Sequence, residues 1–218
     1  WMSSIRGSSR ESLRGLIAKS GTRSEGQNRV TDSSTARKVL FVTSNRIGDC
    51  VISSGVIREI ARQVPGARIT VACGRPPAPF FRSAPNVERI IILDKKKAAG
   101  HWVELWRQVA GTHWDLVIDI RGSALAWLLR ARRRVVYNRG LETGLRKVEM
   151  VSRMMGAAAP LDPEIFLDGQ AVAERDAVLD PQLAEGSGPG PIIALAPIAH
   201  QPGKSWPADR WGELVQRL

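Results

Sequence analysis

At 218 residues, 43% apolar and 24% charged, the chain is long enough to bury a sizeable core and too apolar for a disordered polymer. Its formal charge of +11 is unevenly placed: residues 1–38 hold eight Lys/Arg against three Asp/Glu, residues 130–153 hold eight against two, and the remainder is balanced. Charge confined in this way argues against general coating of nucleic acid and for a local anionic partner. Two cysteines, Cys50 and Cys73, exclude a disulfide framework and a metal-binding spacing and fit a reducing compartment, and no apolar run approaches the roughly 18 residues that cross a bilayer.

Residues 1–36 are rich in Ser, Arg and Gly and read as a disordered tail without the apolar segment of a secretory signal. The organised chain begins with Val39, Leu40, Phe41 and Val42, a continuous apolar run of the kind a parallel strand buried on both faces requires. Ser44, Asn45 and Gly48 break it, and Ile52, Val56, Ile60 and Val64 then recur every fourth residue, which predicts one helix reaching about Val64. Asp49 therefore falls at a strand's carboxyl end and a helix's amino end, where open α/β sheets place their ligands.

Further strands are expected over residues 67–72, 87–94, 114–119 and 135–137, with a Pro-rich loop over residues 75–79. Helices are expected over residues 101–109, from Ser123 to Leu129, and over residues 146–155, ended by Gly156. Strands alternating with helices define an α/β protein with a Rossmann-like, doubly wound parallel sheet. Trp102, Trp106, Trp114 and Trp127 are expected in its core, and His101 and His113 have no partner pattern.

Residues 158–190 read as a linker with a helix over residues 170–179, bounded by the Gly/Pro-rich stretch before Ile192. A new strand over residues 192–196, a loop, and a helix with Pro207 at its first position follow. The expected organisation is a tail (1–36), an amino-terminal Rossmann-like domain (37–157), the linker (158–190) and the opening of a second, truncated domain (191–218).

Three motifs occur in order along this frame. Arg46-Ile47-Gly48-Asp49 follows the first strand, Asp115-Leu116-Val117-Ile118-Asp119 with Arg121-Gly122 forms the fourth strand and its exit, and Ala194-Leu195-Ala196-Pro197 with Gly203-Lys204-Ser205-Trp206-Pro207 opens the last unit. Together they resemble glycosyltransferase family 9, the ADP-heptose:lipopolysaccharide heptosyltransferases, over the stretch from Lys38 to Leu218. The resemblance implies a GT-B fold, with the acceptor on the first Rossmann-like domain and the nucleotide sugar on the second. It also implies inverting transfer of heptose or a related sugar from a nucleotide diphosphate sugar such as ADP-heptose to a lipopolysaccharide-core-type acceptor, with no cofactor and no metal.

On that resemblance Asp49 is the base that takes the proton of the acceptor hydroxyl; read from the sequence alone, a helix N-cap is the plainer reading. Lys204, in a loop before a helix, is the partner of the departing diphosphate, with His200 and Ser205 beside it in the donor site; a solvated surface lysine is the plainer reading. Gly203-Lys204-Ser205 is not a phosphate-binding P-loop, because Ile198 stands where that motif needs glycine. The chain departs from the family's habit at Ala199 and His200, where small hydroxyl residues are common, and at Arg121, where glutamine is common.

Arg46, Gly48, Arg121, Arg146 and Lys147 are the candidate acceptor-binding residues, since Arg and Lys suit an acceptor carrying phosphates and carboxylates. The same basic segment also reads as a solvated face, or as a peripheral contact of a cytoplasmic protein with the inner, anionic leaflet of its membrane. The alternative function is a non-catalytic Rossmann-like module that binds an anionic glycan or lipid head group. A nicotinamide-dependent oxidoreductase is disfavoured because no G-x-G-x-x-G follows the first strand, and nucleic acid is not an expected partner.

Overall fold

The computed structural model describes residues 37–94, 100–138, 140, 144–186, 193–197 and 202–218, with only the backbone described for residues 180–186 and for Pro202. Five strands, β1 (Lys38–Val42), β2 (Arg68–Cys73), β3 (Val87–Ile92), β4 (Trp114–Asp119) and β5 (Ala131–Val136), form one parallel sheet in the order β3-β2-β1-β4-β5. The order reverses direction at β1, so the crevice at the carboxyl ends of β1 and β4 is the switch point of a doubly wound, Rossmann-like sheet.

The apolar runs are continuous because both faces of the sheet are covered. Val39 and Phe41 of β1 belong to one core cluster with Ile57, Ile69 and Leu116, whereas Leu40 and Val42 point into the other with Leu105, Val109 and Val117. The period of two along each strand thus feeds two layers. The first layer is closed by α1 (Ile47–Ile52), α2 (Gly55–Gln63) and α5 (Lys147–Met154), and the second by α3 (Gly100–Val109) and the single turn α4 (Leu125–Leu128). Trp114 locks the second layer by donating its indole N–H to the carbonyl of Val109 at 3.0 Å.

The helix expected to run unbroken to Val64 is two helices. The Ser53 hydroxyl returns to the carbonyl of Cys50 at 3.1 Å and that of Ser54 to the carbonyl of Val51 at 2.6 Å, and serine side chains that bond back to the backbone compete with helix propagation. Ser54 also accepts the N–H of Glu164 at 2.7 Å, and the carboxylate of Glu164 pairs with Arg58, so the chain after α5 is laid along this break. At Gly55 that approach leaves no room: a Cβ would lie 2.4 Å from the carbonyl oxygen of Asp162.

Other boundaries shift for local reasons. β5 begins at Ala131 and so includes the Arg132–Arg134 run, because pairing with β4 starts at Trp114 opposite Ala131. The expected loop after β2 contains a 3₁₀ turn, Ala78–Phe81, which buries Phe81. The helix expected to end near Leu179 is α6 (Gly169–Gly186), and it runs on through Pro181, which forgoes one backbone hydrogen bond without ending it.

The described residues fall into two compact units, the first ending at Gln170 and the second spanning Ala171–Leu218. In the second unit, residues 193–197 form no strand, contrary to expectation: Ile193 and Leu195 are exposed, and no described strand pairs with them. An apolar run becomes a strand only where a neighbour takes its backbone hydrogen bonds. α7 (Ala208–Val215) follows, with Pro207 at its N-cap and not at its first helical position. No helix among the described residues is long and apolar enough to cross a membrane.

Candidate functional site

The register places Val42, the last residue of β1, opposite Asp119, the last of β4, so the turns leaving these strands lie side by side. The first turn carries Asp49. The Ser44 hydroxyl donates to one of its carboxylate oxygens at 3.0 Å, and the Lys147 ammonium, from the start of α5, donates to the other at 2.7 Å. The Asp49 side chain remains 24% exposed. Burial pushes its carboxyl up, but the hydrogen bonds from Lys147 and Ser44 and the charges of Lys147 and Arg46 outweigh it and hold the group below the ordinary carboxylate value.

The N-cap reading of Asp49 is corrected here. The N-cap of α1 is Arg46, Asp49 is the third helical residue, and its oxygens face two side chains instead of the helix's free N–H groups. The carboxylate is therefore not spent on the backbone.

The second turn is organised by a different carboxylate. Asp119, fully buried, accepts the backbone N–H of Arg121 at 2.9 Å and, on its other oxygen, both the N–H of Ser123 at 2.9 Å and the Ser123 hydroxyl. Burial raises its carboxyl above the ordinary value despite those donors and the nearby Arg121 charge. Gly122 completes the turn with φ +64°, and a side chain there would meet the carbonyl oxygen of Tyr137 at 3.0 Å. Arg121 is thereby aimed back across the switch point: it donates to the Asn45 side-chain oxygen at 3.2 Å and lies 4.7 Å from the centre of the Trp102 ring.

Asp49, Arg46, Gly48, Lys147 and Arg121 thus gather at one edge of the sheet, linked through Ser44 and Asn45. Arg46 and Gly48 are exposed, and a Cβ at Gly48 would meet nothing within 4 Å, so neither local space nor the chain's conformation calls for glycine there. Arg146 is instead committed locally: it is the N-cap of α5, and its guanidinium pairs with Glu149 at 2.7 Å. Within the basic segment Arg134 also has a structural task, donating to the carbonyls of Ala126, Ala131 and Leu129.

Lys204 and Ser205 are exposed residues of the second unit, Lys204 closing a 3₁₀ turn, Pro202–Lys204; His200 lies outside the described residues. The tryptophans divide. Trp114 is core, but Trp106 and Trp127 are 41% and 65% exposed, because α3 and the short α4 turn them outward from the layer they cover. Trp106 and Trp102 instead line a cavity of about 510 Å³ beside Arg121.

The site also includes Ser44, Asn45 and Asp119, which the sequence pattern does not mark as site residues. Ser44 and Asn45 registered only as strand breakers, although a hydroxyl and an amide directly after a buried parallel strand sit where ligands bind. The pairing of Lys147 with Asp49 spans 98 positions and leaves no local signal.

Neither a family model nor a curated protein matches the sequence. Solved structures do match the fold. A glycosyltransferase of family 9 from Veillonella parvula superposes with a TM-score of 0.66 at 15% identity, over 86% of this chain and 60% of its own. The E. coli heptosyltransferase WaaC with ADP gives 0.56 at 17% identity, over 83% and 64%, and E. coli ADP-heptose lps heptosyltransferase II gives 0.56 at 17%, over 83% and 60%. The chain spans less than two thirds of the length of these proteins. At such identities what is shared is architecture: the chain has the Rossmann-like α/β fold of the glycosyltransferase family 9 heptosyltransferases.

Proposed function

We propose that this chain serves an inverting, metal-independent glycosyltransferase that moves heptose or a related sugar from a nucleotide diphosphate sugar to a lipopolysaccharide-core-type acceptor. The observation that carries the reading is Asp49, an ionised and partly exposed carboxylate at the switch point of a sheet whose fold is that of heptosyltransferases. In the reaction Asp49 accepts the proton of the acceptor hydroxyl as that oxygen attacks the anomeric carbon, and the nucleoside diphosphate departs from the opposite face. Lys204 is the point charge that offsets the leaving diphosphate, with Ser205 and His200 beside it. Arg46, Arg121 and Lys147 hold the acceptor's anionic groups, and the bare Gly48 backbone lets it approach. The protein acts in the cytoplasm at the inner face of the membrane.

Lys147 gives this site a proton-transfer logic. While it donates to Asp49 the carboxylate is a weak base; an acceptor phosphate or carboxylate that draws the ammonium away restores basicity when substrate is bound.

Replacing Asp49 by Asn is expected to cut release of nucleoside diphosphate from ADP-heptose in the presence of acceptor by about 10²–10⁴-fold. Unchanged turnover in a folded variant would refute the base. For Lys204→Ala, calorimetry should show donor affinity falling by about tenfold, the loss of one charge-assisted contact. If Asp49→Asn leaves acceptor binding intact and no turnover occurs even in the parent protein, the chain is a non-catalytic module for an anionic glycan or lipid head group.

A further inference from the structure

The cavity between α3 and α4 has no part in holding a base or a diphosphate, yet it is built like a ligand site. Its volume of about 510 Å³ lies in the range of small-molecule pockets. Trp102, Val103 and Trp106 line it from α3 and Leu128 from α4. Val103, Trp106 and Leu128 are 50%, 41% and 68% exposed, so apolar side chains face solvent around a concavity where a soluble domain gains nothing by leaving them.

Arg121 and Ser123 supply the only charged and hydroxyl groups of the lining, and the indoles of Trp102 and Trp106 add one N–H each. Both the N–H and the hydroxyl proton of Ser123 are committed to Asp119, which leaves its oxygen as an acceptor. The direct partners of the Arg121 guanidinium, the Asn45 amide oxygen and the Trp102 ring, are uncharged. Asp119 attracts it electrostatically, but the oxygens of that carboxylate already take three donors. Arg121 is thus a half-buried cation, held by Asn45 and the Trp102 ring, in the wall of a largely apolar cavity.

That composition discriminates among occupants. A sugar ring enclosed here would find one guanidinium, one hydroxyl oxygen and at most two indole N–H groups for all its hydroxyls, too few to replace its hydration. A flat aromatic ligand needs an open ring face, and the guanidinium covers one face of Trp102. A hydrocarbon chain makes no such demand, and an anionic head at its end finds the planar, multiply donating guanidinium suited to phosphate or carboxylate.

We infer that the α3–α4 cavity is a subsite for an acyl chain of an amphiphilic acceptor, whose phosphate or carboxylate head rests on Arg121. This rests on the glycosyl-transfer reading: Arg121 bonds Asn45, the neighbour of the serine that holds Asp49, so a head group bound there lies beside the point of transfer.

The test is titration of the ¹⁵N-labelled chain with n-octyl phosphate kept monomeric, following the indole N–H signals. The Trp102 and Trp106 signals are expected to move, while Trp114, buried in the core, stays as an internal reference. Arg121→Met and Val103→Asp should each weaken binding by about tenfold or more, and Val103→Leu, on the same exposed helical position, should retain it. Failure of the Trp102 and Trp106 signals to respond overturns the inference. So does an identical response to inorganic phosphate, which would leave only a head-group site, and so does binding confined to phosphatidylglycerol vesicles, which would make the patch a membrane-facing surface. The readout needs no turnover, so octyl phosphate bound at these tryptophans together with unchanged turnover of Asp49→Asn would sustain the acyl site and remove the Asp49 base from the glycosyl-transfer reading.

Discussion

Asp49 and Asp119 follow neighbouring parallel strands, at one edge of one sheet, and both have an arginine close in sequence, yet they are held in opposite ways. Asp49 takes its hydrogen bonds from two side chains and keeps a quarter of its surface in water; Asp119 takes its bonds from two backbone N–H groups and a hydroxyl and keeps none. One carboxyl is lowered and the other raised. Side-chain partners can swing away when a ligand arrives, whereas backbone donors cannot, so the first aspartate is available for chemistry and the second is the scaffold that aims Arg121.

The largest expected consequence is in stability. Asp119→Ala strands two part-buried backbone N–H groups and should cost about 2–3 kcal/mol in urea unfolding, while Asp49→Ala, losing one partly exposed ion pair and the hydrogen bond from Ser44, should cost about 1 kcal/mol. A reversed order would break the distinction between scaffold and available group.

The pH dependence of the two should also run in opposite directions. The folded value of Asp49 is depressed, so its contribution is present above the unfolded value and is lost as pH falls through the depressed one. That of Asp119 is raised, so the folded state holds this proton more tightly than the unfolded chain does, and its contribution grows as pH falls from the raised value toward the unfolded one. Lys147→Met should shift the Asp49 carboxyl upward, read by carbon-detected NMR titration, and leave Asp119 where it is. It should change stability by no more than about 1 kcal/mol.

The smallest effect sharpens the comparison most. Gly48→Ala places a methyl where nothing stands and should stabilise α1 by about 0.5 kcal/mol in thermal melts. If the same substitution weakens acceptor binding, the bare backbone serves a ligand. If binding is unaffected, Gly48 has no part in the site.

Much of this molecule was legible beforehand because its signals are local. Val39–Val42 and Leu116–Ile118 are buried on both faces and therefore read as unbroken apolar runs, and a Ser-Asn turn after such a run places Asp49 at the ligand edge. The break at Ser53–Ser54 was hidden because Ile52, Val56 and Ile60 keep helical spacing across it; only the serine side chains, bonding backward, interrupt the helix. The exposure of Trp106 and Trp127 was hidden for a related reason, since an indole on an amphipathic stretch looks like core until the length of its helix is known.

What the sequence determined by itself is the alternation of strands and helices, the doubly wound class and the carboxylate at the end of β1, all set by hydrophobic period and by residues that break it within a few positions. Tertiary structure alone decided which cation meets that carboxylate, that Arg134 is spent on carbonyls, and that α3 and α4 leave a largely apolar cavity beside Arg121. Those outcomes join residues about a hundred positions apart in one case and in every case depend on how the layers close over the sheet, and no pattern along the chain encodes a distance between them.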